Sequence, residues 1–472
     1  MFEEEEDYFS SKGETREIVE KFENMLKNNE HYFFDVDDFE DIIEHYIEQN
    51  NIKKSFNVIE FALLQHPDSF ILLLRKGQLL AATNKPQKSL DLLSKLENIE
   101  PANIELHFTK GNIFSQLRQH SKAAEAFKKA LEFAEEDIDD ILLNIAFEYT
   151  NMGKYDEAIS HLKKALEVNP ENESALFELA FCFEITGKPE DSIKYYHDFI
   201  DIHPYSSSAW FNLGVAFSKQ QLYEKAIDAY DFAIAIDDNY SSAYFNKGNS
   251  LAALGEYEQA IEVYNETFKY EEPDALAYYY IGECYEKLID YPKAISFYRK
   301  ASKLDPFLAD AWVGIGMVLD EQGKQNESVH YLKKGVEIDK RNSEYWYILG
   351  DLQKKRGFTE EAQQAYEKVI ELGSENTEIW LDYSDMYFKS GETDLALDVI
   401  YRGIQLNTQN PSSILFYRTA AYLFNKGHET DAINMFESAI SLDYKNHSSL
   451  FDYAPELKNN EILQEMLQSH KL

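Results

Sequence analysis

An all-α fold, made by repeating one helix pair along the chain, is what this sequence predicts, on three observations. The phrase "AWFNLG" at 209–214 returns as "AYFNKG" at 243–248, 34 residues later. Sliding the 472-residue chain against itself extends that period. Units begin near Val36, Phe70, Ile104, Asp139, Glu173, Ser207, Ser241, Ala275, Ala309, Ser343, Thr377 and Ser413, with a partial unit at His447. Within the units, small and large residues recur at fixed positions with helical spacing and no strand-like alternation.

Taken in order, residues 1–13 read as an acidic arm. Residues 14–35 predict a capping helix, with Ile18, Val19, Phe22, Met25 and Leu26 on one apolar face. The array fills 36–446. Its period is 34 residues, except 35 after Ile104 and 36 after Thr377, and both extra steps fall at unit ends where loops absorb them. Position 8 of each unit is small (Gly77, Gly111, Ala146, Gly214, Gly248), Ile43 being the exception in the first. Position 20 is always alanine or serine, and position 24 is always large and apolar or aromatic. Two helices approach closely only where both present small side chains, so positions 8 and 20 mark the crossing of helix A on helix B. Glycine at position 15 (Gly153, Gly187, Gly255, Gly323) ends helix A in the left-handed conformation of a tight turn. Proline at position 32 (Pro67, Pro101, Pro170, Pro204, Pro306) stops helix B. Residues 447–472 read as a partial repeat and a C-terminal cap, with Ile462, Leu463, Met466 and Leu467 as its apolar face.

The residues Trp210, Leu213, Gly214, Phe217, Ala226 and Tyr230, and again Tyr278, Ile281, Gly282, Tyr285, Ala294, Tyr298 and Pro306, resemble the tetratricopeptide repeat (TPR) pattern. The resemblance covers residues 36–457, about twelve tandem repeats. It implies a right-handed α-solenoid superhelix whose concave face is lined by helix-A positions 2, 5, 6, 9, 12 and 13, where such proteins bind their ligands.

Composition narrows the function. With 46 basic against 85 acidic residues the net charge is −39, a field that repels nucleic acid and anionic lipid. The two cysteines, Cys182 and Cys284, lie far apart in apolar helical stretches, which suits a reducing compartment and structural thiols. There is no apolar leader and no run of eighteen uncharged apolar residues, so a cytoplasmic protein without membrane insertion is expected. No glycine-rich phosphate loop, no metal-ligand spacing among the twelve histidines and no room for a catalytic core outside the repeats are found. No enzyme activity, catalytic residue, cofactor or metal is therefore expected.

What remains is the groove. Position 5 reads Phe108, Leu143, Phe177, Phe211, Phe245 and Tyr279 through six units, and position 9 adds Phe181. Asn144, Asn212 and Asn246 stand at position 6 and Asn249 at position 9, where an amide can both donate to and accept from a peptide backbone. The expected partner-binding residues are Phe108, Asn144, Phe177, Phe181, Phe211, Asn212, Phe245, Asn246, Asn249 and Tyr279. Position 5 is expected to face the groove and to contribute little to the A–B contact. Asp37, Glu40, Asp41, Glu44 and Glu48 form an acidic groove mouth in the first unit; residues 1–50 hold 17 acidic and 4 basic side chains. A second acidic stretch contains Asp310, Asp320, Asp351, Asp382 and Asp385, relieved by Lys354, Lys355 and Lys389. The register of a C-terminal carboxylate clamp offers Phe108, Asn112, Asn144, Ser174 and Glu178, without its cations. The expected function is a scaffold for protein or peptide segments, basic with apolar anchors. The alternative is a regulatory or targeting subunit whose active component lies on another chain.

Overall fold

Each unit carries its own start and stop signals, and they position its two helices. In the computed structural model, which describes residues 2–28, 30–373, 376–407 and 411–470 with side chains from Thr15 onward, all twelve A helices begin at the predicted residue except the fourth. That one starts at Ile138, one residue early. Side chains at the preceding residue cap many of them: Ser69, Asn103, Asn172, Ser206, Asp274 and Asn342 each accept from a backbone N–H of the first turn. Asp35 and Asp38 form a reciprocal capping box at the first unit. Every B helix begins at position 17, from Ile52 to Glu429.

The turn between the helices is left-handed at position 15 in all twelve units. Glycine takes it in seven, and Asn50, Asn84, Arg118, Gln221 and Ile289 take it in the rest. The conformation thus belongs to the turn, and glycine is only its easiest occupant. Most B helices stop at position 30, with or without proline two residues later: Ile202 precedes Pro204, and Ile236 precedes Asp238; Pro86–Leu96 and Tyr257–Thr267 stop at position 27 and Thr359–Glu371 at 29.

Among the described residues there are twenty-seven α-helices, two short 3-10 helices and no strand. They divide into two compact bodies, Met1–Ala243 and Tyr244–Leu472, with the boundary inside helix Ser241–Ala253. The N-terminal body opens with helix Phe2–Asn28, which runs from the acidic arm into the capping segment but stops short of the expected 35, residues 30–35 having no regular structure. Val19, Phe22 and Met25 are buried with Phe34, Phe39 and Ile42, whereas Leu26 is exposed and falls outside the face assigned to it. Six helix pairs follow, the last two being Glu173–Ile185 with Pro189–Ile202 and Ser207–Lys219 with Tyr223–Ile236. The C-terminal body holds the remaining pairs, then the short helix Ser448–Tyr453, which Pro455 cuts off, and helix Glu461–Ser469. Leu463 and Leu467 of that last helix are buried with Tyr417 and Phe436, but Ile462 is exposed.

Every position 20 is buried, from Ser55 to Ala432, and so is every position 24. The small residue at 8 makes room chiefly for the ring at 24. A Cβ on Gly111 would come within 2.5 Å of Phe127, one on Gly214 within 2.5 Å of Tyr230, and one on Gly282 within 2.7 Å of Tyr298. Two of the position-20 serines bond the opposite backbone: Ser89 Oγ donates to the Gly77 carbonyl (2.6 Å) and Ser328 Oγ to that of Gly316 (2.7 Å), whereas Ser55 Oγ donates to the Asn51 carbonyl four residues before it (3.3 Å).

Candidate functional site

In the N-terminal body the A helices Glu173–Ile185 and Ser207–Lys219, with the first turns of B helix Pro189–Ile202, border a cavity of about 420 Å³. Phe177, Phe181, Phe211, Asn212 and Val215 line it. Phe177 and Phe181 are 42% and 45% exposed, and the Phe177 ring stands edge-on to Phe211 with centroids 6.2 Å apart. Asn212 is 3% exposed, and its Nδ2 has no hydrogen-bond partner. A buried amide donor left unpaired costs about 1–3 kcal/mol, so a carbonyl brought to it would be held firmly. Lys219 and Glu184 close one edge with a 2.6 Å ion pair. The arrangement suits recognition: apolar rings for a side chain, and one orphaned donor for an oxygen.

The other expected site residues fall elsewhere. Phe108 packs on Phe127 (5.3 Å) and lines a different cavity. Asn144 Nδ2 already donates to the Asp140 carbonyl (2.8 Å), a bond within its own helix. In the C-terminal body Asn249 Oδ1 accepts from the Tyr264 hydroxyl (2.7 Å), which ties that amide to helix B. Asn246 is not free either. Tyr279 donates to Glu283 (2.9 Å). Of the four amides, only Asn212 keeps a buried donor without a partner.

Position 5 corrects a sequence expectation. Phe211 is buried, 5.9 Å from Tyr230 and 5.1 Å from Tyr240. Phe245 lies 5.7 Å from Tyr264, and Tyr279 lies 5.6 Å from Tyr298. Each ring rests on the position-24 ring of its own unit. In these three units position 5 is therefore part of the A–B contact, because glycine at 8 lets the position-24 ring reach across to it, whereas Phe177, with Ala180 at position 8, stays 42% exposed.

The acidic groups divide similarly. Asp37, Asp41, Glu44 and Glu48 are exposed. Glu40 is held by Arg75 Nε (3.2 Å), whose Nη1 reaches Glu105 (3.3 Å). Sequence reasoning did not name Arg75 as the partner of these acids; the signal was a cation at position 6, between Asp41 and Thr109 of the flanking units. In the C-terminal body the second acidic stretch is largely paired. Lys354 bridges Asp351 (3.0 Å) and Asp382 (2.8 Å), Lys355 bridges Asp320 (3.3 Å) and Asp351 (3.0 Å), and Lys389 meets Asp385 (2.8 Å). Burial works against ionisation of Asp351, but its bonds from Lys355 and Lys354 outweigh that and hold the carboxyl below its ordinary range.

Cys182 and Cys284 are free and buried, and burial pushes both thiols up, Cys284 to about 12, away from reactivity. Among the described residues no three His, Cys, Asp or Glu side chains gather as a metal ion requires, and no helix is long and apolar enough to cross a membrane.

Comparison with known proteins places the repeat. Profiles described as "Tetratricopeptide repeat" match residues 140–172 and 207–240, 245–309 and 347–411, and 104–137 and 309–342. No curated protein matches. Among solved structures, a chain titled "Crystal structure of YrrB: a TPR protein with an unusual peptide-binding site" is 20% identical; the match covers 38% of this chain and 92% of that one, with a TM-score of 0.31. A chain of the "APC/C hetero-tetramer Cut9-Hcn1" is 14% identical over 92% of this chain and 89% of its own, with a TM-score of 0.36. With profile matches from residue 104 to 411 and the same helix pair repeated between them, the chain belongs to the tetratricopeptide repeat family, whose arrays serve as protein-interaction scaffolds.

Proposed function

We propose that this chain is a non-catalytic scaffold that holds an extended segment of a partner protein on its A-helix face. The segment inserts one large apolar side chain between Phe177, Phe181 and Phe211, and the carbonyl beside it accepts from Asn212 Nδ2. The observation that carries the reading is the coincidence of an unpaired Asn212 donor with the exposed rings of Phe177 and Phe181 around one cavity. The buried free thiols fit the reducing cytoplasm, which we take as the compartment.

The test is a peptide selected from a random phage-displayed library against the intact chain, then titrated calorimetrically against variants. Phe177→Ala with Phe181→Ala should weaken binding by about two orders of magnitude, as truncated aromatic anchors do. The melting temperature should barely move, because both side chains are nearly half exposed. Asn212→Ala should weaken the same peptide by about tenfold without loss of stability, since it removes an unpaired donor. Peptides that bind with undiminished affinity to both variants would overturn this site.

A further inference from the structure

The unit that begins at Ile104 is one residue longer than its neighbours in the N-terminal body, and the structure shows what the extra residue builds. Helix His120–Phe133 ends, residues 134–137 turn with Asp137 left-handed at φ 52°, and the next helix starts at Ile138. Beside this turn lies a cavity of about 540 Å³, separate from the one above. Its floor is apolar: Ile104, Phe108 and Phe133, of which Ile104 and Phe133 are 36% and 42% exposed. Its rim carries Glu105, Glu135, Glu136, Asp137 and Asp140. Glu105 is met by Arg75 Nη1 (3.3 Å) and Gln78 Nε2 (2.9 Å), but no cation among the described residues pairs with the other four.

We infer that this cavity takes a basic side chain carried next to a large apolar one on a partner's segment. The charge of the rim selects the sign of the occupant, and the exposed floor selects its shape. A long basic side chain lies its methylene stem along Phe133 and Phe108 and brings its cationic end to the carboxylates, while the neighbouring apolar residue covers Ile104. A bound metal ion is disfavoured by geometry, because no three of these acids converge on one point. The sequence points to residues 37–48 for a basic partner's contact; this cavity adds a second acidic site at 105–140. The inference rests on the scaffold reading only in taking the occupant to be a protein segment, and it uses a different cavity.

The experiment measures anisotropy of a fluorescein-labelled nonapeptide, in which arginines alternate with leucine and phenylalanine, on titration with the full chain. Because a chain of charge −39 attracts any cationic peptide, two variants of equal charge are compared. The first is Glu135→Gln, Glu136→Gln, Asp137→Asn; asparagine tolerates the left-handed turn at 137 as well as aspartate does. The second is Asp198→Asn, Asp201→Asn, Asp228→Asn, three exposed acids on B helices of the same body. The first variant should lose affinity about tenfold or more and the second less than about twofold. Replacing leucine and phenylalanine in the probe by serine should abolish the difference between them. Equal losses in both variants, no loss in either, or no binding by the unmodified chain would each overturn the inference. The Phe177→Ala, Phe181→Ala variant should bind the probe normally. If it fails to, the probe sits in the other cavity, and this inference falls while the scaffold reading stands.

Discussion

Ile289 occupies the left-handed turn position at φ 61°, where seven other units place glycine. A β-branched side chain there strains against its own backbone by about 1–2 kcal/mol, and Ile289, at 71% exposure, gains little burial in return. Ile289→Gly should therefore stabilise the protein by about 1 kcal/mol, after the greater chain entropy of glycine in the unfolded state is allowed for. Urea unfolding checks this: the midpoint should rise with the slope unchanged. Phe211 shows the opposite balance. It lines the cavity, yet its burial against Tyr230 and Tyr240 predicts that Phe211→Ala costs about 3 kcal/mol or more, as other core phenylalanines do. The sequence could list the A-helix residues but could not separate 5 from 9, because one helical turn carries both toward the same face. Only the reach of the position-24 ring decides which is covered. A third residue sets a pH dependence. Burial opposes ionisation of Glu97, but bonds from Lys110 (2.5 Å) and Lys129 (2.9 Å) outweigh it and bring its carboxyl down to about 2. A carboxyl lowered in the folded state stabilises at pH values above its unfolded pKa near 4.5, and that contribution fades as pH falls toward 2. With screening allowed for, it amounts to about 1–2 kcal/mol. Glu97→Gln should flatten the acid limb of a stability–pH curve between those values, and an unchanged limb would refute the pairing.

At the scale of the element, the helix pair is held by one recurring contact, a small residue at 8 under a large one at 24. In the 207 unit this is Gly214 under Tyr230, with the tyrosine hydroxyl in reach of Ser218 (3.2 Å). Gly214→Ala places a methyl 2.5 Å from the ring, so the pair must open, at a cost of about 1–3 kcal/mol. Adding Tyr230→Leu should relieve the clash, because Ala146 and Leu162 are the combination the 139 unit already uses. A double-mutant cycle should give a coupling energy above about 0.5 kcal/mol, and strict additivity would contradict the contact. Where alanine and tyrosine coexist, as Ala180 and Tyr196 do, the hydroxyl bonds the Leu176 carbonyl instead (2.9 Å). Helix positions were almost fully legible in the sequence, since twelve copies of the same caps and turns reinforce one another. The termini were less so. Leu26 and Ile462 continue an apolar pattern past the point where anything remains to cover them, and Pro455 shortens a helix that the period alone would carry on.

For the whole molecule, stability in a repeat array is a sum of local terms and nearest-neighbour interfaces, so damage should spread along the chain from its origin. Ala226→Asp buries an unpaired carboxylate at a fully covered crossing in the N-terminal body and should cost several kcal/mol. Hydrogen exchange should then accelerate in units flanking 207–236 before it does so in helices near residue 450. The net charge of −39 adds that association with basic segments slows as salt screens it. The two bodies were not legible in the sequence, because the period runs through residue 243 without interruption. Nor was the choice of Asn212 among four similar asparagines, which depends on which of them the fold leaves without a partner. The central claim, that a partner segment is held between helices Glu173–Ile185 and Ser207–Lys219, is tested most directly by hydrogen-exchange mass spectrometry of the intact chain with and without the library-selected peptide. Amide protection should concentrate in residues 177–219; protection confined to other helices, with those residues unchanged, would contradict that claim.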